Sequence, residues 1–355
     1  MKRRSFIQKS SMLTAAAAMP LSSIYSFPVS GKKGKLGFAL ASYAIRWKSE
    51  AEVRKYPGFQ NAIDILNHCQ SIGADGIQAS VSGWGSDFAG KVRGLREKYG
   101  MYLEGQIQLP GEYSEIDRFE KEIKAGMEAG AQVIRTVCLN GRRYENFDSM
   151  DSFEEFKRKS IRSLQWAEPI VRKHKVKLAV ENHKDWRADE MVELMKKIDS
   201  EWIGVTLDTG NNISFMEDPM AVIETLAPYA FSTHIKDMAY KKYEEGILLS
   251  EVPLGEGIVD LKRAVNLCQT YHPEVTFNIE TITRNPLRIP CLTDKYWRTF
   301  DHPSSGKELA NILRTAKSSD FELPTVIGKS QEAKLAFEEE NNLKSLQYAR
   351  KVLEL

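Results

Sequence analysis

The sequence predicts an α/β fold, a single (β/α)8 TIM barrel with an extra C-terminal helix. Three observations point there. Eight strand-like runs appear along the chain, with helix-like stretches between them. The first run continues into "SYAIRWKSE" without the glycine-rich phosphate turn that usually follows the first strand of a doubly wound sheet. Three runs also end in residues that a buried strand does not need: "KLAVENH" (177–183), "WIGVTLDTGN" (202–211) and "YAFSTHIKDM" (229–238).

The first segment is not part of that barrel. Residues 1–30 read as an export signal and linker. "MKRRSFIQKSSMLTAAAAMPLSS" has a basic start and then a short, mildly apolar stretch from Met12 to Met19. Arg3 and Arg4 followed by Ser5-Phe6-Ile7 have the layout of a twin-arginine signal, so the expectation is an exported, periplasmic protein. The first cysteine is Cys69, which argues against a lipid anchor on a processed N-terminal cysteine.

The barrel itself is expected over 35–318. Its strand runs are 35–44, 75–80, 101–109, 132–138, 177–183, 202–208, 230–236 and 275–280. "FQNAIDILNHCQSIG" repeats apolar residues every three to four positions and stops at Gly73. "EIDRFEKEIKAGMEAGA" and "SFEEFKRKSIRSLQWAEPIVRKH" do the same. "DPMAVIETLAP" opens with Asp in the cap position and Pro at the first helical position. "VDLKRAVNLCQTY" and "SGKELANILRTAKSS" follow the last two strands. The segments 238–257 and 281–305 read as long loops over one face of the barrel. Residues 330–355 form a helix expected to pack on its outside.

Composition narrows the function. The 355 residues carry 50 Lys+Arg against 48 Asp+Glu, a balance of +2 that gives no overall attraction for nucleic acid. No apolar run approaches the ~18 residues of a membrane span, so no stable membrane anchor is expected. Cys69, Cys138, Cys268 and Cys291 are far apart and form no CxxC, which excludes a zinc ribbon and predicts no disulfide pair. A homo-oligomer stays open.

In a barrel the C-terminal strand ends meet at one face, where the chemistry sits. Strand runs five to eight end with Glu181, Asp208, His234 and Glu280. Neighbouring strands lie about 4.8 Å apart, so the four side chains can converge. Three carboxylates and an imidazole suit one divalent metal ion, Mn, Mg, Co or Zn. Without an ion the carboxylates repel one another and their pKa values rise.

Glu181 in "VENH", Asp208 in "TLDTGN", His234 in "THIKD" and Glu280 in "NIET" resemble the xylose-isomerase-like TIM-barrel superfamily. They are most similar to its sugar (phosphate) isomerase/epimerase branch, over about residues 35 to 318. The resemblance implies proton removal next to a carbonyl, with Glu181 and Glu280 as catalytic bases or acids and a metal-stabilised enediolate. The substrate is then a small carbohydrate, an unphosphorylated sugar or polyol-derived ketone. A keto-sugar lyase, dehydratase or hydratase in the same site, and a non-catalytic carbohydrate-binding barrel, are the competing readings. Ketose 3-epimerases of the branch usually carry His where Asn211 stands and Arg where Tyr240 stands. The DNA-repair branch needs more than the 6 histidines present.

The other substrate-binding candidates are His183, Lys236, Trp186 and Gln106, with Asn211 beside them. His183 lies two residues past Glu181, and Lys236 two past His234. Trp186 offers a platform for a sugar face, with plain loop packing as the alternative. Glu104 and Gln106 close strand run three and Arg135 lies in run four; each of the three suits a hydroxyl contact, with a buried ion pair as the alternative for Arg135.

Replacing Arg3 and Arg4 together by Lys should leave an unprocessed precursor in the cytoplasm, read by fractionation and immunoblot. Normal processing of that variant would overturn the twin-arginine reading.

Overall fold

The computed structural model describes residues 34–301, 306–316 and 322–355. The export-signal reading falls outside the described residues. Eight parallel strands close a barrel: β1 (Leu36–Ala39), β2 (Gly76–Ser80), β3 (Tyr102–Gln106), β4 (Val133–Thr136), β5 (Lys177–Glu181), β6 (Ile203–Asp208), β7 (Ala230–Ile235) and, after two strands outside the barrel, β10 (Phe277–Ile279). β10 pairs with both β7 and β1, which seals the ring. Each of the eight runs read from the sequence contains one of these strands. β6 is buried along its whole length, as a strand covered on both faces requires.

Helices ring the barrel where the apolar periods placed them. Asp218 accepts a hydrogen bond from the Ala221 amide at 2.9 Å, with Pro219 at the first helical position of Pro219–Leu226. Asp260 does the same for Arg263 at 3.0 Å and starts Leu261–Tyr271. Two further helices, Ser86–Tyr99 and Ala188–Ile198, follow β2 and β5. The first buries fully only Ala89 and Val92, so its apolar stripe is thin and hard to read. All four cysteines are free thiols.

The two long segments are not loops. β8 (Asp237–Tyr243) and β9 (Gly246–Val252) form an antiparallel hairpin, and β11 (Leu287–Ile289) pairs with β9. This sheet has its own apolar cluster, in which Met238, Tyr240, Ile247, Leu249 and Ile289 pack with Ile213 and Phe215 from the segment after β6. Burial of those side chains turns a nominal loop into a fixed cover for the C-terminal end of the barrel.

Asp237, third of the odd residues in "THIKD", fastens that cover. Its carboxylate accepts from the amides of Met238 (2.9 Å), Gly255 (3.0 Å), Gly257 (2.9 Å) and Val259 (3.0 Å). The close approach needs glycine: a Cβ on Gly257 would sit 2.1 Å from Asp237 Oδ1, and Gly255 has φ +89°. The "GEG" turn is therefore a backbone cradle for one carboxylate.

The C-terminal helix Gln331–Tyr348 does more than lie on the outside. Glu338, 1% exposed, accepts from the amides of Ile45 (2.6 Å) and Arg46 (3.0 Å) in the turn after β1. Asn342 donates to the Ser42 carbonyl at 2.6 Å, and Ser345 meets Thr281, the residue after Glu280, at 3.1 Å. The helix thus ties together the segments that follow β1 and β10.

Glu338→Ala leaves two amides without their acceptor and should destabilise the fold by about 1–3 kcal/mol. Glu338→Gln keeps an acceptor oxygen and should lose less. Urea midpoints of the two variants check this order.

Candidate metal centre

Glu181 is the last residue of β5, Asp208 the last of β6, His234 lies in β7, and Glu280 directly follows β10. Pairing register sets Asp208 beside His234, and His234 beside Asn278, two residues before Glu280. One ligand atom from each of the four lies within 4.8 Å of the others, and all four residues are buried.

The atoms face a common point rather than each other. His234 Nδ1 lies 3.3 Å from Glu280 Oε1 and 3.4 Å from Glu181 Oε2, yet it has no hydrogen-bond partner among the described residues. Asp208 Oδ2 lies 2.8 Å from Lys236 Nζ, also without hydrogen-bond alignment. A buried imidazole lone pair and a buried carboxylate oxygen left in this state fit a cation between them. The residues present therefore suit one divalent ion.

The barrel interior orients that imidazole. His234 Nε2 meets Gln78 Oε1 at 2.7 Å, and Gln78 Nε2 donates to Glu104 Oε2 at 2.8 Å. A carboxylate that also receives Ser232 Oγ (2.6 Å) and Asn278 Nδ2 (3.1 Å) forces the amide nitrogen of Gln78 toward it. The amide oxygen must then face His234, so Nε2 carries the proton and Nδ1 is free to ligate. Glu104, expected as a hydroxyl contact, belongs to this chain of hydrogen bonds.

Cations surround the carboxylates. Arg135 Nε donates to Glu181 Oε2 at 2.7 Å, so the ion-pair alternative describes Arg135. Asn211 Nδ2 donates to the other oxygen, Glu181 Oε1, at 2.9 Å. Lys236 forms an ion pair with Glu280 as well as with Asp208. Burial pushes the Glu181 carboxyl up, but Arg135 and, until an ion displaces a proton from its Nδ1, His234 outweigh it and hold it well below the usual range. Burial likewise pushes the Glu280 carboxyl up, and His234 and Lys236 outweigh it and bring it down to about 2. The Asp208 carboxyl stays raised, by burial first and by Glu280 and Glu181 against the pull of Lys236.

The remaining candidates scatter. His183 is half-buried, its Nδ1 has no partner among the described residues, and burial pushes its pKa down to about 3. Gln106 closes β3, half-buried and in register with Arg135. Trp186 is 2% exposed and packs on Phe156 and Phe153 at centroid distances of 5.5 and 6.2 Å, the loop-packing alternative. A cavity of about 710 Å³ opens at the opposite, N-terminal end of the barrel, lined by Lys35, Arg96, Gln132 and Thr276 among others, with none of the four ligands in its wall.

The xylose isomerase-like TIM barrel family matches residues 66–314 of the sequence. The chain belongs to this family. Among solved structures, a D-psicose 3-epimerase in the presence of D-fructose superposes with a TM-score of 0.57 at 13% identity, covering 90% of this chain and 99% of that one. A xylose isomerase-like barrel from Mycobacterium smegmatis in complex with magnesium gives 0.53 at 13% identity, over 80% and 98% of the two chains. At these identities the likeness is one of fold. The 3-oxo-isoapionate decarboxylase of Pectobacterium atrosepticum is 31% identical over 94 residues, 26% of this chain and 34% of that protein. The chain thus spans about a third of that curated relative's length.

The barrel also brings in residues that sequence reading passed over. Gln78 is a polar residue in mid-strand, and that is a signal. Lys184 follows His183 directly, where continued strand alternation would turn it to the far side; β5 has ended at Glu181, so alternation no longer applies. Glu251 and Arg284, paired at 3.1 Å, come from the segments read as loops.

Purified protein should hold about one divalent ion per chain by elemental analysis. Gln78→Leu should weaken the affinity for it by about 10–100-fold in calorimetric titration. An unchanged affinity would remove the orienting role from Gln78.

Proposed function

We propose that this protein is an exported metal-dependent sugar isomerase or epimerase. It takes a proton from the carbon beside a carbonyl of an unphosphorylated sugar or polyol-derived ketone. The observation that carries the reading is the four-residue ligand set with Lys236 against it. A divalent ion bound there, Mn, Mg, Co or Zn, would supply Lewis acidity to the substrate carbonyl and its neighbouring hydroxyl. The structural neighbours support both parts, since they include ketose epimerases and barrels holding magnesium or zinc.

The two catalytic candidates are held differently. Glu181 has both oxygens engaged, one by Arg135 and one by Asn211. Glu280 is fixed from one side, by Lys236 on Oε2. A carboxylate that must accept a proton needs a free lone pair, so Glu280 is the better base and Glu181 the more rigid ligand. Lys236 Nζ can then place positive charge near the oxygen of a forming enediolate. One working carboxylate shuttling between neighbouring carbons suits aldose–ketose isomerisation; a second role for Glu181 on the other face would suit epimerisation.

A lyase is the second reading, because the segment shared with the 3-oxo-isoapionate decarboxylase is the more similar in sequence. In the same site, a leaving group β to the carbonyl would depart from the same enediolate.

Glu280→Gln should abolish turnover while keeping much of the metal, since Gln retains a ligating oxygen but takes no proton. His234→Ala should lose the metal. NMR in D2O over a panel of ketoses separates the reactions: isomerases incorporate deuterium, lyases release a group, and a binder leaves the spectrum unchanged. Near-normal turnover by Glu280→Gln would move the base to Glu181, His183 or Lys236.

A further inference from the structure

Lys184 is 3% exposed, yet its ammonium forms no ion pair among the described residues. Its side-chain partner is neutral: Nζ donates to Asn211 Oδ1. Lys236 Nζ lies 3.4 Å from that same oxygen. Two buried ammonium groups therefore meet at one amide oxygen. Asn211 cannot turn to relieve this, because its Nδ2 is committed to Glu181 Oε1. A buried charge without an opposite partner is strongly unfavourable, and like charges brought together add to the penalty.

The surrounding charges are already matched. Arg135 pairs with Glu181, Lys236 with Asp208 and Glu280, and Arg284 with Glu251. Four carboxylates thus face three paired cations, and Lys184 makes a fourth. With His234 neutral, as a metal ligand must be, these groups sum to zero, and a divalent ion leaves the cluster with two positive charges. Proton removal beside a carbonyl does not change this total, because the proton stays in the site on Glu280. A negative charge carried in by the substrate itself would offset part of the excess.

We propose that the substrate is a sugar acid, and that Lys184, with Lys236 and Asn211 beside it, binds its carboxylate. This rests on the proton-abstraction reading of the same centre. A carboxylate fits better than a phosphate, which usually calls on a helix N-terminus or an arginine fork in addition to a lysine. Burial and the nearness of Lys236 lower the Lys184 pKa to about 8, and a carboxylate bound against the ammonium would favour its charged form. Lys184 would be a specificity-determining residue; proton transfer stays with Glu280.

The test uses the full metal-loaded protein and matched probes: ketohexoses, the corresponding keto-acids with a terminal carboxylate, and the ketohexose 6-phosphates. Deuterium incorporation from D2O is read by NMR. The acids should exchange with kcat/KM at least about tenfold above their neutral counterparts. Lys184→Met should remove most of that preference through KM, and Lys184→Arg should restore part of it. Metal content and circular dichroism confirm that each variant is folded. Neutral ketoses exchanging as well as the acids would overturn the sugar-acid inference and leave the proton-abstraction reading intact. Preference for the phosphates would overturn the carboxylate assignment. If no probe exchanges, the proton-abstraction reading fails, and calorimetric binding of D-gluconate decides the rest. A loss of at least about fivefold in affinity in Lys184→Met, recovered in Lys184→Arg, would support the anion site; equal affinity in all three proteins would overturn it.

Discussion

Everything at the C-terminal end of this barrel answers to one constraint: Glu181, Asp208 and Glu280 are held close around His234, buried from bulk solvent. Two carboxylates about 4 Å apart repel by about 4 kcal/mol at an effective dielectric constant of about 20. Three of them cannot all stay ionised there unless positive charge is built in. The protein supplies it from four directions, as Arg135 from β4, Lys236 after β7, Lys184 after β5 and Arg284 from the segment after β10. With its charges so balanced, a centre of this kind can accept a further cation and an anion together.

That arrangement must be rigid to be useful, and the rigidity comes from below and from above. Below, Gln78 and Glu104 hold the His234 ring by hydrogen bonds inside the barrel, where an apolar core would ordinarily fill the space. The polar interior is satisfied rather than wasted: Glu104 receives Gln78, Ser232 and Asn278. Above, the β8–β9–β11 sheet brings Glu251 against Arg284, and the amide cradle around Asp237 locks the hairpin to the strand that carries His234 and Lys236. The C-terminal helix completes the enclosure by fixing the residues that flank Glu280 and β1.

The short stretch "THIKD" shows how function and fold share residues. His234 turns inward to the ligand point, Lys236 neutralises two of its neighbours, and Asp237 holds backbone amides of the cover. None of the three is a side chain that a buried apolar strand calls for. They stand together because β7 ends where the barrel, the candidate metal centre and the covering sheet meet.

The sequence by itself determined the strand count, the barrel and the four residues at its mouth, because strand alternation and strand ends are local properties. It also placed Asp218 as a helix cap, for the same reason. The covering sheet was not legible, since its strands are stabilised by pairing with a segment about 40 residues away and by burial against residues after β6. Nor were the partners of the site. Gln78 lies 156 residues from His234, and Glu104 lies 128 from Ser232. Lys184 and Lys236 reach one oxygen of Asn211 from opposite sides in the chain. Which charges oppose which, and which ammonium is left over, depends on distances of a few ångströms between segments that only closure of the barrel brings together.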